Sequence, residues 1–292
     1  MATLSPDDIT LSAIIAGILL AAIFIAGTLI DAHLLSGLFR QEKTWNDKCQ
    51  RLRMRPWSGN DSITLLLVVG TVLAAMMLVS QILNQCGIVL SHAGERFLVL
   101  GETLLVQGTA IATIEYLRRR NKRTIQECFF GTQISVTHDL KKGALFYIAL
   151  IPPVIISALL SSFVLQYFGI AVESQDILKS FADPEAPLWF SVYMMGLAVA
   201  LAPLVEEMVF RGIALPLAAK YTSPAGAIIG VSLLFALIHA HLPALAPLFV
   251  VAVGCSLAYI HSGSILVPIT MHALFNGINL SIFYLSYDMT PL

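Results

Sequence analysis

Apolar runs dominate this chain, and polar residues gather between them. Eight stretches are each about long enough to cross a bilayer as a helix, which takes about 20 mostly apolar residues. They run roughly over 9–38, 62–84, 97–117, 144–167, 188–210, 224–241, 244–261 and 265–286. The pattern predicts an all-α membrane protein, a multi-pass bundle of about eight transmembrane helices. Residues 1–143 would hold about three N-terminal helices with basic loops, and 144–292 a core of about five. The first stretch has no basic residue before it and exceeds the apolar run of a cleavable signal, so it reads as a permanent anchor.

Charge then orients the spans. Of the 17 basic residues, fourteen fall between spans one and two (40–55), three and four (118–142), or five and six (Lys220). Those are alternate loops. The opposite loops hold Arg96, Lys179 and an acidic stretch with Glu173, Asp176, Asp183 and Glu185. Because basic loops stay inside, both termini are expected on the non-cytoplasmic side of a cell membrane. An odd number of spans would break this alternation. The block Arg118–Arg119–Arg120–Asn121–Lys122–Arg123 reads as topology control, with anionic lipid as the functional alternative.

Composition sharpens the class. Hydrophobic residues make up 57% of the 292, and only 12% are charged; mean hydropathy is +0.82. This excludes disorder, a coiled coil and a nucleic-acid binder. Cys49, Cys86, Cys128 and Cys255 form no CxxC and suggest neither a disulfide framework nor a zinc finger. Cys255 reads as a small core residue. Gly226 and Gly230 make a GxxxG that would let a neighbouring helix approach.

An ionisable side chain inside a span costs about 2.5–3.5 kcal/mol on insertion scales, so each calls for a reason. Asp31, Glu102 and Glu115 read as interfacial or locally bonded. The second half is richer. Span five ends in Ala202-Pro203-Leu204-Val205-Glu206-Glu207-Met208-Val209-Phe210-Arg211-Gly212. Glu207 and Arg211 are i,i+4 and are expected to pair. Glu206 points about 100° away and has no local cation, which suits a proton acceptor. Pro203 cannot donate to the carbonyl of Val199. In span six, Phe235 and His239 share a face; His241, about 200° from His239, is the bystander. In span eight His272 and Asn276 form a polar stripe that Asn279 continues. His261 is expected in a solvated turn. One glutamate, two histidines and an asparagine on three spans can build a water-activating, oxyanion-stabilising centre.

These residues resemble a known family. Glu206-Glu207-x-x-x-Arg211, Phe235-x-x-x-His239 and His272-x-x-x-Asn276, in that order, are similar to the three motifs of the CPBP intramembrane proteases, the CAAX-protease and bacteriocin-processing group also called the Abi family. Ala202-Pro203, Phe210-Arg211-Gly212 and Gly263-Ser264 match as context, so the likeness covers about 185–285. It implies an intramembrane endopeptidase with a cavity between spans five, six and eight that opens to the cytoplasm. Glu206 and His239 would activate water, His272 and Asn276 would stabilise the oxyanion, and Glu207 with Arg211 would hold the geometry. The substrate would be a membrane-associated peptide or protein, lipidated or not.

No metal is favoured, because a catalytic zinc needs three protein ligands plus water. Glu206, His239 and His272 would supply a zinc or other divalent site only by leaving no free acid as base. Other membrane-protease signatures are missing: there is no HExxH, no GxSG, and Tyr287-Asp288 lacks a GxGD partner. The competing readings are a proton- or ion-coupled transporter and a non-catalytic immunity or scaffold protein. Visible inverted repeats, which would favour the transporter, are lacking.

Overall fold

The computed structural model describes residues 11–40, 42–131, 134–170 and 186–288. Glu173, Asp176, Lys179, Asp183 and Glu185, on which part of the topology argument rests, lie outside them. The described residues contain ten helices and no strand. These are α1 (Leu11–Arg40), α2 (Glu42–Arg53), α3 (Gly59–Gln85), α4 (His92–Arg120), α5 (Ile125–Phe129), α6 (Val136–Tyr167), α7 (Leu188–Tyr221), α8 (Pro224–Ile238), α9 (Leu245–Ser262) and α10 (Leu266–Asp288). α3, α4, α6, α7, α9 with its leading 3-10 turn, and α10 are long and apolar enough to cross a membrane. The apolar stretch Gly17–Ala32 of α1, and α8 at 15 residues, are shorter. The protein is a multi-pass all-α membrane protein.

Burial separates a centre from a periphery. The most apolar window of α9 is 44% buried, against 6% for α3. α9 packs on α6 and α8, α10 on α6, and α1 on α6, whereas α3 and α4 pair as a hairpin. Leu66, Leu67, Met77 and Leu78 face outward along α3; such a continuous apolar surface belongs in lipid. Close approach rather than GxxxG pairing builds the centre. A Cβ at Gly143 of α6 would meet the Val267 carbonyl at 2.8 Å, so only glycine lets α6 touch α10 there. Gly230 has nothing within reach and Gly226 meets only its own helix cap, which removes the expected role of that motif.

Two expected loops contain helices, and their cations do more than set topology. Arg53 Nε donates to the Ala219 carbonyl at 2.7 Å at the end of α7, and Lys220 Nζ returns to the Trp57 carbonyl at 2.6 Å. Arg123 pairs with buried Asp61 at 2.8 Å and lies over Trp57. Arg118 and Arg119 both bind Glu115. Helix-end carbonyls and short acidic partners thus take up these arginines. The loop 54–58 and the segment 121–131 are held against the ends of α7 and α9.

Candidate active site

The site is built on α7, and two prolines shape that helix. Residues Leu197–Leu201 and Met208–Ala214 are π-helical. Ala202 N–H bonds to the Leu197 carbonyl, and Leu215 N–H to the Phe210 carbonyl, each five residues back. The next residue is Pro203 in one case and Pro216 in the other. A proline ring clashes with the carbonyl four residues before it, and a widened turn relieves that clash. The π register offers the Ala198 carbonyl, rather than that of Val199, to the missing Pro203 N–H. Asn276 of α10 fills the gap: its Nδ2 donates to Ala198 O at 2.8 Å.

Between the two π segments stand the acids. Glu207 and Arg211 are fully buried, and Arg211 Nη1 donates to Glu207 Oε1 at 2.6 Å, which agrees with the expected pair. Arg211 Nη2 donates to the Ala252 carbonyl at 3.0 Å, and its guanidinium lies 4.8 Å from the centre of the Phe235 ring. The same Glu207 oxygen lies 2.9 Å from His272 Nδ1, a contact the spacing on one helix could not indicate. With Nδ1–H donating to a carboxylate, Nε2 is the nitrogen left for chemistry.

Glu206 stands apart. Its Oε2 is buried without a hydrogen-bond partner and lies 3.8 Å from His272 Nε2, while its side chain is 27% exposed. That separation is too long for a hydrogen bond. His239 is the cap residue that ends α8 rather than a residue within it. Its Nδ1 bonds the Phe235 carbonyl at 2.7 Å, which likewise leaves Nε2. The fully buried Phe235 ring packs on both imidazoles, 4.8 Å from His239 and 5.7 Å from His272. The structure therefore gathers Glu206, Glu207, Arg211, Phe235 and His272, places His239 on the same aromatic ring, and brings Asn276 to the neighbouring π turn.

Three other expectations change. Asn279 is exposed and bonds its own helix at Phe275 O, so the polar stripe stops at Asn276. His261 belongs to α9 and packs edge-on against Phe146 at 5.4 Å instead of lying in a solvated turn. The break after α8 falls at His239 and Ala240, the latter with φ of 48°, so His241 lies beyond the helix. All four cysteines are free, and Cys255 is fully buried. Among the described residues no group of three or more His, Cys, Asp and Glu side chains is placed to hold a metal ion.

No curated protein and no solved structure matches the chain. Residues 187–278 match the family model described as type II CAAX prenyl endopeptidase Rce1-like. That span contains every motif residue discussed above, from α7 through most of α10. Residues 187–278 of this multi-pass membrane protein are thus similar to an Rce1-like type II CAAX prenyl endopeptidase domain, consistent with the CAAX-protease family.

Proposed function

We propose that the chain is an intramembrane endopeptidase that hydrolyses a peptide bond of a membrane-associated peptide or protein, lipidated or not. The observation that carries this reading is the asymmetry of the two acids. Glu207 is held through Oε1 by both Arg211 and His272, whereas Glu206 has no cation within hydrogen-bond distance and its Oε2, without a partner, faces His272 Nε2 at 3.8 Å. A carboxylate oxygen without a donor, beside a histidine fixed through its other nitrogen, suits a general base.

In this reaction Glu206, with His239 Nε2, takes the proton of a water whose oxygen attacks the scissile carbonyl carbon. The tetrahedral oxyanion is stabilised by His272, which Glu207 orients through Nδ1, and by the second N–H of Asn276. Collapse breaks the C–N bond, and Glu206 passes its proton to the leaving amine. One well-aimed oxyanion donor contributes roughly 3–4 kcal/mol. No step in this reading uses a metal.

The test is cleavage of a membrane-inserted peptide by purified protein. Wild type should cut and Glu206→Gln should not, and a chelator should leave the rate unchanged. Proton-coupled flux in sealed vesicles without cleavage would instead favour a transporter. A protein inert in both assays would fit the scaffold reading.

A further inference from the structure

The basic-loop face carries a cavity whose lining does not include Glu206. It has a volume of about 1380 Å³ and lies between α2, the 121–131 segment, the start of α6 and the end of α9. Drug-sized ligand pockets run to about 1,000 Å³, so the space suffices for a lipid headgroup. Six cations line it: Lys48, Arg51, Arg55, Lys122, Arg123 and Lys142. Only two carboxylates do, Glu127 and Asp139. Glu127 is already engaged, because it accepts from Thr124 N and Oγ at 2.7 and 2.8 Å in a capping box.

The cations divide into two sets. Arg123 is paired with Asp61. Arg55 donates to the backbone carbonyls of Glu127, Phe130 and Gly263, which leaves its charge without a carboxylate and its buried Nε without an acceptor. No carboxylate lies within ion-pair distance of Lys48, Arg51 or Lys142 among the described residues. Burial, then the charges of Arg51 and Lys142, hold the Lys48 ammonium below its usual range. Like charges gathered around a cavity store repulsion that a bound anion relieves.

We propose that this cavity binds a phosphate-bearing anion, with Lys48, Arg51 and Lys142 supplying charge and Arg55 Nε a buried donor. The charge pattern places it at the cytoplasmic membrane boundary, where the source is either a phospholipid headgroup or a soluble phosphate. Both present anionic phosphate oxygens that ammonium and guanidinium groups recognise. The inference is independent of peptidase activity.

Thermal unfolding of lipid-depleted protein in dodecyl maltoside tests it, with dioctanoyl phosphatidic acid, dioctanoyl phosphatidylcholine and pyrophosphate as ligands. Phosphatidic acid should raise Tm by several degrees at a hundredfold excess over Kd, and phosphatidylcholine should not. Arg51→Gln should weaken binding about fivefold, and Lys48→Gln with Lys142→Gln more than tenfold. Without ligand, the double variant should melt no lower than wild type, because its repulsion is gone. A shift with pyrophosphate equal to that with phosphatidic acid assigns a soluble phosphate; a shift with the lipid alone assigns a headgroup. If neither anion shifts Tm, or if Arg51→Gln binds as tightly as wild type, the site is wrong.

Discussion

His272 Nδ1 and Arg211 Nη1 converge on one oxygen of Glu207, at 2.9 and 2.6 Å. A single buried carboxylate therefore fixes a helix-internal cation and a ring from α10, 65 residues away. Removing one partner of a buried pair leaves an uncompensated charge and costs about 3–5 kcal/mol. Arg211→Ala should express poorly, and Arg211→Ala with Glu207→Gln should recover folding. The double variant should still cut at least a hundredfold more slowly than wild type, because the acceptor that orients His272 has lost its charge. Thermal stability read beside cleavage rate checks this; additive damage from the two changes would contradict the coupling.

Pro203 offers a separate test. The π segment before it sets the direction in which Glu206 and Glu207 leave the helix, and Asn276 answers the carbonyl that the proline cannot. Pro203→Ala restores an N–H and permits an ordinary α register, which would rotate the acids by about 100°. The expected result is equal or higher Tm with cleavage lost. A variant that keeps wild-type activity would show that the widened turn does not position the acids.

Much of this centre was legible beforehand because i,i+4 spacing is a property of one helix. Glu207–Arg211 and Phe235–His239 meet as the spacing predicts. Contacts between helices were not legible in the same way. His272 on Glu207 and Asn276 on Ala198 depend on how α10 lies against α7, and that is set by close packing such as Gly143 against Val267. Pro203 was visible as a helix disturbance, but a four-residue bond count pointed to Val199 instead of Ala198. His261 and Asn279 were misplaced for a related reason: exposure in a bundle depends on the neighbour, here Phe146 for one and none for the other. The fold class needed only composition and run length, so it was the most secure.

The arginine clamps on the basic-loop face predict a stability effect remote from the chemistry. Arg123 is the charged partner of Asp61, whose other side-chain donor from a distant loop is Asn121 at 3.1 Å. Arg123→Ala removes a charge-assisted bond from a buried carboxylate and should cost about 1.5–3 kcal/mol. Arg123→Lys should recover part of that cost, because the charge returns without the planar fork. Tm of both variants in detergent measures this, and equal damage from Ala and Lys would argue that shape alone matters.

The native cysteines report on folding and sidedness without engineering. Cys86, at the end of α3, is exposed, whereas Cys49, Cys128 and Cys255 are buried. Burial pushes the Cys128 thiol up to about 11, so at pH 8 only about one part in a thousand is thiolate, the form that reacts. Maleimide at pH 8 should therefore modify one site per folded chain and four after denaturation. A membrane-impermeant reagent should reach Cys86 from the side opposite the basic loops. Labelling from the cytoplasmic side would overturn the orientation derived from charge.

The last prediction concerns the two adjacent glutamates. Glu206→Gln preserves size and exposure but cannot accept a proton. It should melt within about a degree of wild type, since the oxygen it alters has no hydrogen bond to lose, and it should lose nearly all cleavage. Asn276→Ala should fall by about 10²–10³ in kcat, the range for one oxyanion donor. Because Asn276 also bonds Ala198 O, that variant should lose stability too, by about 1 kcal/mol. Asn276→Asp separates the two roles: it keeps the shape, cannot donate to either oxygen, and sets a negative charge beside the developing oxyanion. It should therefore be less active than Asn276→Ala despite its closer fit. If Glu206→Gln still cuts while Glu207→Gln folds and does not, the acids have exchanged roles, and the carboxylate bound by Arg211 and His272 is the base.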